Sequence, residues 1–107
     1  MTDVTVVLIT APSAEVAAGL ARTLVEEGLA ACGNVVPGLR SIYRWEGAIQ
    51  DEAEVLLLLK TRTAAFEALR RRIVELHPYD VPEVLALKVE AGHEPYLAWI
   101  RSAIRPG

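Results

Sequence analysis

The sequence predicts an α+β fold in which helices pack against one antiparallel sheet. Apolar runs typical of strands and helical apolar stripes follow one another in the order strand, helix, two strands, helix, strand, and a further helix closes the chain. A length of 107 residues suits a single domain over 1–107. Hydrophobic residues make up 52% of the chain, which is more than one small core uses.

The first strand and the first helix have clear local signals. Thr5–Thr10 contains a continuous apolar run and is predicted to be a strand. Ser13 is a suitable N-cap and Gly28 a suitable residue just beyond a C-terminus, so the sequence predicts a helix near 13–27. The apolar stripe of this helix should face the sheet.

A long hairpin is predicted next. Residues 29–45 form an extended stretch that Pro37-Gly38 interrupts, as a bulge or bend would. Glu46-Gly47 suits a turn, and residues 49–60 then form a second long strand that ends in an apolar run. Two strands of this length joined by a short turn should extend beyond a small sheet.

The second half predicts a helix, a strand and a final helix. Thr61 or Thr63 can cap a helix near 63–76, and Pro82–Val89 is predicted to be a strand with proline at its start. A last helix is predicted near 93–104. The complete order is βαββαβ plus a helix, the split βαβ pattern of ferredoxin-like two-layer sandwiches, with all three helices expected on one face.

Both faces of the predicted sheet are apolar. Thr5–Ile9, Val55–Leu59 and Val84–Leu87 are rich in apolar side chains at consecutive positions, whereas a sheet with one solvated face alternates apolar and polar residues. Helices on one face would leave the other face uncovered, and monomers rarely expose so large an apolar patch. We therefore expect the chain to associate with copies of itself.

Composition argues against several function classes. The net charge is −3 and the one basic cluster is Arg70-Arg71-Arg72, so nucleic-acid binding is disfavoured. No apolar run reaches the length of a membrane span. Because Cys32 is the single cysteine and Met1-Thr2-Asp3 lacks signal-peptide features, we expect a cytoplasmic protein. With no phosphate-binding glycine loop and no nucleophile motif, we expect neither an enzyme nor an organic cofactor.

Three segments and two shorter motifs carry a family resemblance. They are Leu29–Gly38 (LAACGNVVPG), Ser41–Gly47 (SIYRWEG) and His77–Glu83 (HPYDVPE), with Lys60-Thr61 and the Tyr96–Ile100 segment (YLAWI). In this order and spacing they resemble the CutA family over about 6–100. The resemblance implies a ferredoxin-like homotrimer, similar in plan to PII signalling proteins, and a link to tolerance of copper and other divalent cations. The alternative is a trimeric sensor or scaffold that binds a small ligand or a partner protein between subunits.

His77 and Cys32 are the candidate metal ligands. Imidazole and thiolate both suit copper, and His77 follows a predicted helix end, where the dipole favours a cation. Alternatively, His77 caps the helix and Cys32 is a small buried hydrophobic residue. Some relatives proposed to bind copper carry a further cysteine and histidine where this chain has Ile9 and Leu76. We therefore expect copper binding to be weak.

A polar and aromatic group of residues is the candidate ligand cleft between subunits. Aromatic walls with a few charges are typical of small-ligand pockets, although aromatic residues also anchor subunit interfaces. Separately, Asp51, Glu52 and Glu54 form an acidic cluster beside the predicted hairpin turn, which could hold hard cations or simply be a solvated edge. The resemblance assigns the following residues to the cleft: Tyr43, Arg44, Trp45, Glu46, Lys60, Tyr79 and Glu83.

Overall fold

The computed structural model describes residues 2–106 and shows an α+β fold. One sheet of four strands is accompanied by three α-helices, and a single 3₁₀ turn, Thr63–Ala65, precedes the second helix. The elements are β1 (Val4–Ala11), α1 (Ala14–Glu26), β2 (Cys32–Trp45), β3 (Ala48–Arg62), α2 (Phe66–Leu76), β4 (Leu85–Lys88) and α3 (Glu94–Ala103).

The sheet has the predicted ferredoxin-like topology. Its strand order is β2-β3-β1-β4, and every neighbouring pair is antiparallel. β1 and β3, the two central strands, pair over Val4–Ala11 and Val55–Arg62. Because β1 stops there, residues 39–54 continue as a two-stranded ribbon, and the molecule reaches 44 Å along its longest axis.

The capping, turn and bulge residues predicted for α1 and the hairpin are found in those roles. The Ser13 hydroxyl accepts a hydrogen bond from the Val16 amide at 3.1 Å, and Gly28 has the positive φ of 72° that ends a helix. Glu46 and Gly47 both have positive φ, as a two-residue hairpin turn requires. The predicted bulge lies between Val36 and Leu39.

Helices α1 and α2 cover one face of the sheet, and we call this the covered face. Its side chains form the main core, and the central strands contribute fully buried residues at alternating positions. The buried strand residues of this core are Val7, Ile9, Ala11, Val55, Leu57 and Leu59.

Helix α3 lies on the opposite face, which corrects the prediction that all three helices share one face. Leu97, Ile100 and Ile104 pack with Val4, whose position in β1 alternates with that of the core residue Val7. The physical reason is that α1 and α2 already occupy the covered face. The apolar stripe of α3 therefore buries itself on one end of the other face.

Two further predictions about the second half were wrong. β4 spans four residues rather than eight, and residues 82–84 pair with no strand. Pro82 has no amide hydrogen to donate to a neighbouring strand. Neither threonine caps α2 with its side chain. The Thr61 hydroxyl donates to the Leu29 carbonyl at 2.8 Å, and the Thr63 hydroxyl lies 2.7 Å from that of Thr5, so both hold the sheet to neighbouring segments.

Beyond α3, the second face has no helix over it, and we call it the open face. Val6, Leu8, Leu56 and Leu58 are only partly buried there. Residues of β4 on this face are more exposed, as Leu85 and Leu87 retain 54% and 52% of their accessible surface. The expected two-faced apolar sheet is therefore present in the fold.

Candidate functional site

A cleft of about 650 Å³ lies on the open face, where the ribbon leaves the sheet. Strand β1, the ribbon and the segment after α2 all contribute to it. Its walls are aromatic and acidic. The lining residues are Thr10, Ser41, Ile42, Tyr43, Trp45, Glu52, Glu54, Tyr79, Asp80, Val81 and Glu83.

The bulge in β2 gives the cleft its composition. Before the bulge Val36 pairs with Leu56, so the even-numbered residues of β2 share the open face with those of β3. After it Ser41 pairs with Glu52, so the odd-numbered residues take that face. The extra residue therefore turns Tyr43 and Trp45 toward the cleft.

Two tyrosine hydroxyls hold two cleft carboxylates. Tyr79 donates to Glu54 Oε2 at 2.8 Å, and Tyr43 donates to Glu52 Oε1 at 3.1 Å. Burial and the Glu54 hydrogen bond raise the pKa of Tyr79 above its usual value. The hydrogen bond to Glu52 likewise raises the pKa of Tyr43. Both phenols therefore stay protonated near neutral pH and act as donors.

His77 forms hydrogen bonds with two of the residues that line the cleft, Thr10 and Tyr79. Its side chain is 7% exposed, its Nδ1 accepts from the Tyr79 amide at 3.1 Å, and its Nε2 lies 2.8 Å from the Thr10 carbonyl oxygen. Since Nδ1 accepts, the proton is on Nε2, which donates to Thr10. Both ring nitrogens are thus occupied, and a metal could bind His77 only after one of these hydrogen bonds breaks.

The charge of the cleft is negative. Glu52, Glu54, Asp80 and Glu83 line it, and no lysine or arginine is among its lining residues in the described part of the chain. Partial burial and the charge of Glu54 raise the pKa of Glu83. Cations are therefore attracted to this cleft and anions repelled.

Cys32 and Lys60 lie together at the other end of the open face, beneath α3. The Lys60 ammonium donates to the Tyr96 hydroxyl at 3.1 Å, and Cys32 Sγ lies 3.8 Å from the same oxygen. The hydrogen bond to Tyr96 raises the pKa of Lys60. Cys32 is half-buried rather than fully buried, so it is not a simple core residue.

Comparison with known proteins identifies the family. A family model described as CutA1 divalent ion tolerance protein matches residues 5–103. The chain belongs to this family. It is 57% identical to a divalent-cation tolerance protein CutA of Thermus thermophilus over 96 residues, which are 90% of this chain and 93% of that protein.

Other members of the CutA1 family agree. Protein CutA of Homo sapiens is 45% identical over 99 residues, which are 92% of this chain and 55% of the human protein. The chain thus spans about half the length of the animal and plant relatives it matches. The crystal structure of CutA1 from Oryza sativa superposes with a TM-score of 0.94 at 43% identity, covering 97% of this chain and 95% of that one.

The structure brings together four of the seven predicted cleft residues of this CutA1 family member. They are Tyr43, Trp45, Tyr79 and Glu83. Arg44 and Glu46 are exposed in the hairpin and do not line the cleft, because Arg44 falls on the other face and Glu46 is in the turn. Lys60 is six residues along β3 from Glu54, roughly 20 Å away.

Cys32 and His77 do not share a site. Cys32 pairs with Lys60 of β3, which in turn pairs with Val6 of β1. His77 contacts Thr10, which lies four residues beyond Val6, a distance of roughly 13 Å along β1. Residues 2–106 contain no group of three or more His, Cys, Asp or Glu side chains placed to hold a metal ion. In the same range, no helix is long and apolar enough to span a membrane.

Sequence reasoning missed some cleft residues, and the structure divides the predicted acidic cluster between two sides of the ribbon. Asp80 and Val81 line the cleft, and their position inside the His77–Glu83 motif was the available signal. Glu52 and Glu54 of the predicted acidic cluster are also present. Asp51, however, points to the other side of the ribbon and pairs with Arg40 at 2.8 Å.

Proposed function

We propose that this chain contributes to divalent-cation tolerance as a homotrimer, by binding at the cleft rather than by catalysing a reaction. We place it in the cytoplasm, where its thiol stays reduced. The carrying observation is the cleft itself, which within residues 2–106 is lined by four carboxylates and by no basic side chain. Membership of the CutA1 family gives the general role.

The open face supports the trimer. Leu85 and Leu87 are about half exposed beside the partly buried Val6, Leu8 and Leu58. Burying one such side chain fully is worth roughly 1.5–3 kcal/mol. A second copy that covered this face would recover that energy, and cyclic closure limits the assembly to a small number of subunits.

The cleft supports weak rather than tight metal binding. Its carboxylates attract divalent cations such as Cu²⁺, but the described residues supply no set of three ligands. His77 holds both of its ring nitrogens in hydrogen bonds. A cation would therefore be held by one or two carboxylate oxygens and by its own water shell.

Titration calorimetry with Cu²⁺ tests this assignment. We expect weak binding that falls further in Glu54→Gln and is unchanged in Cys32→Ser. If His77 is instead the main metal ligand, as the sequence analysis suggested, His77→Ala should remove most of the binding. If His77→Ala abolishes binding while Glu54→Gln leaves it intact, the ion is bound by the imidazole and the cleft assignment is wrong.

A second candidate function is a sensor or scaffold that binds a small ligand or a partner protein. It is favoured by the size of the cleft and by its aromatic residues Tyr43, Trp45 and Tyr79. Volumes of about 300–1,000 Å³ are usual for small-molecule sites, whereas a bare metal ion fills little of such a space. The two functions are compatible if divalent cations and a larger ligand compete for the same carboxylates.

A further inference from the structure

The His77 side chain occupies a place in the sheet that a backbone strand would normally fill. Val4 of β1 directs its carbonyl toward β4 and accepts from the Val89 amide at 3.0 Å. Because backbone groups of an antiparallel strand point to its two neighbours in alternation, the Thr10 carbonyl, six residues on, points to the same side. β4 does not reach that position, since its first residue pairs with Leu8. The imidazole of His77 donates to the Thr10 carbonyl instead.

We propose that His77 is a positioning residue that replaces this missing backbone partner and thereby fixes Tyr79 and the carboxylate of Glu54. The contacts that carry this role lie within one chain and are independent of what covers the open face. The positioning of Tyr79 needs no ligand, and only its consequence for cation binding rests on the proposed function of the cleft.

The imidazole holds two segments with its two nitrogens in different roles. Nε2 donates to the Thr10 carbonyl at 2.8 Å, and Nδ1 accepts from the Tyr79 amide at 3.1 Å. The rings of His77 and Tyr79 also pack together, with centroids 4.6 Å apart. A neutral imidazole supplies one donor and one acceptor at these positions, so it can make both hydrogen bonds at once.

The segment between α2 and β4 has few other anchors. Pro78 and Pro82 have no amide hydrogen. Within residues 2–106, Tyr79 is the one residue of 78–84 that forms hydrogen bonds with other residues of the chain. Val84 packs against the main core at the end of the segment that adjoins β4. A segment held by so few contacts can open locally, and losing the His77 contact should therefore free Tyr79.

Tyr79 connects His77 to the neighbouring strand β3. Its hydroxyl donates to Glu54 Oε2 at 2.8 Å, and Glu54 lies two residues before Leu56, the residue that pairs with Thr10. The contacts therefore run from β1 through His77 and Tyr79 to β3. Displacement of Tyr79 would remove the hydrogen bond that orients the Glu54 carboxylate.

The test compares two substitutions that each retain half of the imidazole. Asparagine places an acceptor oxygen near the position of Nδ1, whereas glutamine reaches the position of Nε2 and can donate there. Deuterium exchange of the Tyr79 amide is measured by NMR on the full-length assembled protein. We expect exchange at least about fivefold faster in His77→Gln, the effect of losing one hydrogen bond, and close to the parent rate in His77→Asn.

Two controls separate a local effect from a loss of stability. The Leu57 amide belongs to a central strand of the core, and its exchange reports opening of the whole fold. His93→Gln makes the same substitution at the other histidine, which is exposed and does not cap α3 with its side chain. Neither the Leu57 amide in His77→Gln nor the Tyr79 amide in His93→Gln should exchange markedly faster.

Three results would overturn the positioning role. If the Tyr79 amide exchanges equally in the parent protein and in His77→Gln, another contact holds the segment, such as one from a second subunit. If His77→Asn exchanges as fast as His77→Gln, the acceptor at Nδ1 is not what holds the amide. If Leu57 is accelerated as much as Tyr79 in His77→Gln, the histidine stabilises the whole fold without positioning Tyr79.

Titration of the same variants with Cu²⁺ separates this role from the proposed cation function. If both hold, Cu²⁺ affinity should be lower in His77→Gln than in His77→Asn. If Tyr79 responds as expected but Cu²⁺ does not bind the parent protein, the positioning role stands and the cation function fails. If Cu²⁺ binds with the expected dependence on Glu54 while Tyr79 exchange is the same in all variants, the cation function stands and the positioning role fails.

Discussion

The two faces of this sheet are built from the same strands but have different partners. On β3, Leu57 and Leu59 point to the covered face and are fully buried, whereas Leu56 and Leu58 point to the open face and are only partly buried. Alternation along a strand thus divides one apolar run between an internal core and an uncovered surface. The excess of apolar residues therefore supplies a second apolar surface besides the core, and we propose that this surface forms the contact between subunits.

The open face itself differs between its two ends. At the ribbon end, glutamates and tyrosines form the acidic cleft. At the α3 end, the Lys60 ammonium and the Cys32 thiol meet the Tyr96 hydroxyl. The apolar centre between the two ends carries Leu8 and Leu58. Assembly through this centre would bring clefts and basic ends of different subunits near one another.

The largest effect is expected from a charge on the covered face. Leu57→Asp places a carboxylate in the main core, where Leu57 is 0% exposed and lies in a cluster of apolar side chains. The cost of an unpaired buried charge is several kcal/mol, which is comparable to the whole stability of a small domain. We expect no cooperative thermal transition by circular dichroism. A folded Leu57→Asp protein would show that this face is not the principal core.

The same substitution one residue along should act on assembly instead. In Leu58→Asp the carboxylate lies on the open face, where an isolated chain can leave it in contact with water. We expect a folded monomer, because a charge at a subunit contact costs far more in the assembly than in the separate chain. Sedimentation equilibrium at micromolar and lower concentrations measures this.

The Leu58→Asp result is informative in both directions. For the parent protein, we expect a trimer whose thermal stability rises with protein concentration. If the parent protein is instead a stable folded monomer over that range, the open face needs no partner and the proposed assembly is wrong. If Leu58→Asp unfolds like Leu57→Asp, the two faces are not separable in energy.

Smaller changes in stability are expected from alanine substitutions at two glycines next to the covered face. A Cβ on Gly33 would lie 2.7 Å from the Ala21 Cβ and 3.1 Å from the Leu59 side chain, whereas nothing lies within 4 Å of one on Gly19. Gly33→Ala should therefore cost about 1–3 kcal/mol through overpacking. Gly19→Ala, in the middle of α1, should stabilise the protein by up to about 1 kcal/mol. Urea unfolding midpoints measure both, and equal shifts would contradict the close contact between α1 and β2.

Most of the fold could be predicted because local signals and global packing agree. The Ser13 cap, the Pro37-Gly38 bulge and the Glu46-Gly47 turn each fix one feature of the backbone, and each was found. The side on which α3 packs could not be predicted, because a helical stripe records only that one side of the helix is buried. Which sheet face it covers depends on the space that α1 and α2 leave.

The cleft was only partly predictable, for a reason that lies in the bulge. Tyr43 and Trp45 belong with Glu52 and Glu54 only because one extra residue reverses the alternation in β2. The spacing of residues in the sequence does not show that the side chains change faces at the bulge. Nor does it show how far Lys60 lies from the ribbon. The resemblance grouped Lys60 with the cleft, whereas within one chain these residues lie at opposite ends of the open face.

The smallest effect is expected from Glu83→Gln, and its signature is its pH dependence. Partial burial and the nearby charge of Glu54 raise the pKa of Glu83 in the folded protein above the usual value of 4.5. The folded state therefore binds more protons than the unfolded state as pH rises above 4.5, and the parent protein loses stability through that window. Glutamine removes the charge and with it this loss.

Thermal melts of the parent protein and of Glu83→Gln at several pH values provide the measurement. Well below pH 4.5 the two proteins should melt alike, because Glu83 is then largely protonated in both states. Above that window, and still at neutral pH, the glutamine variant should be slightly more stable. The opposite sign at neutral pH would mean that the Glu83 carboxylate is stabilised by a cation in the folded protein, as it would be if another subunit placed a basic group against the cleft.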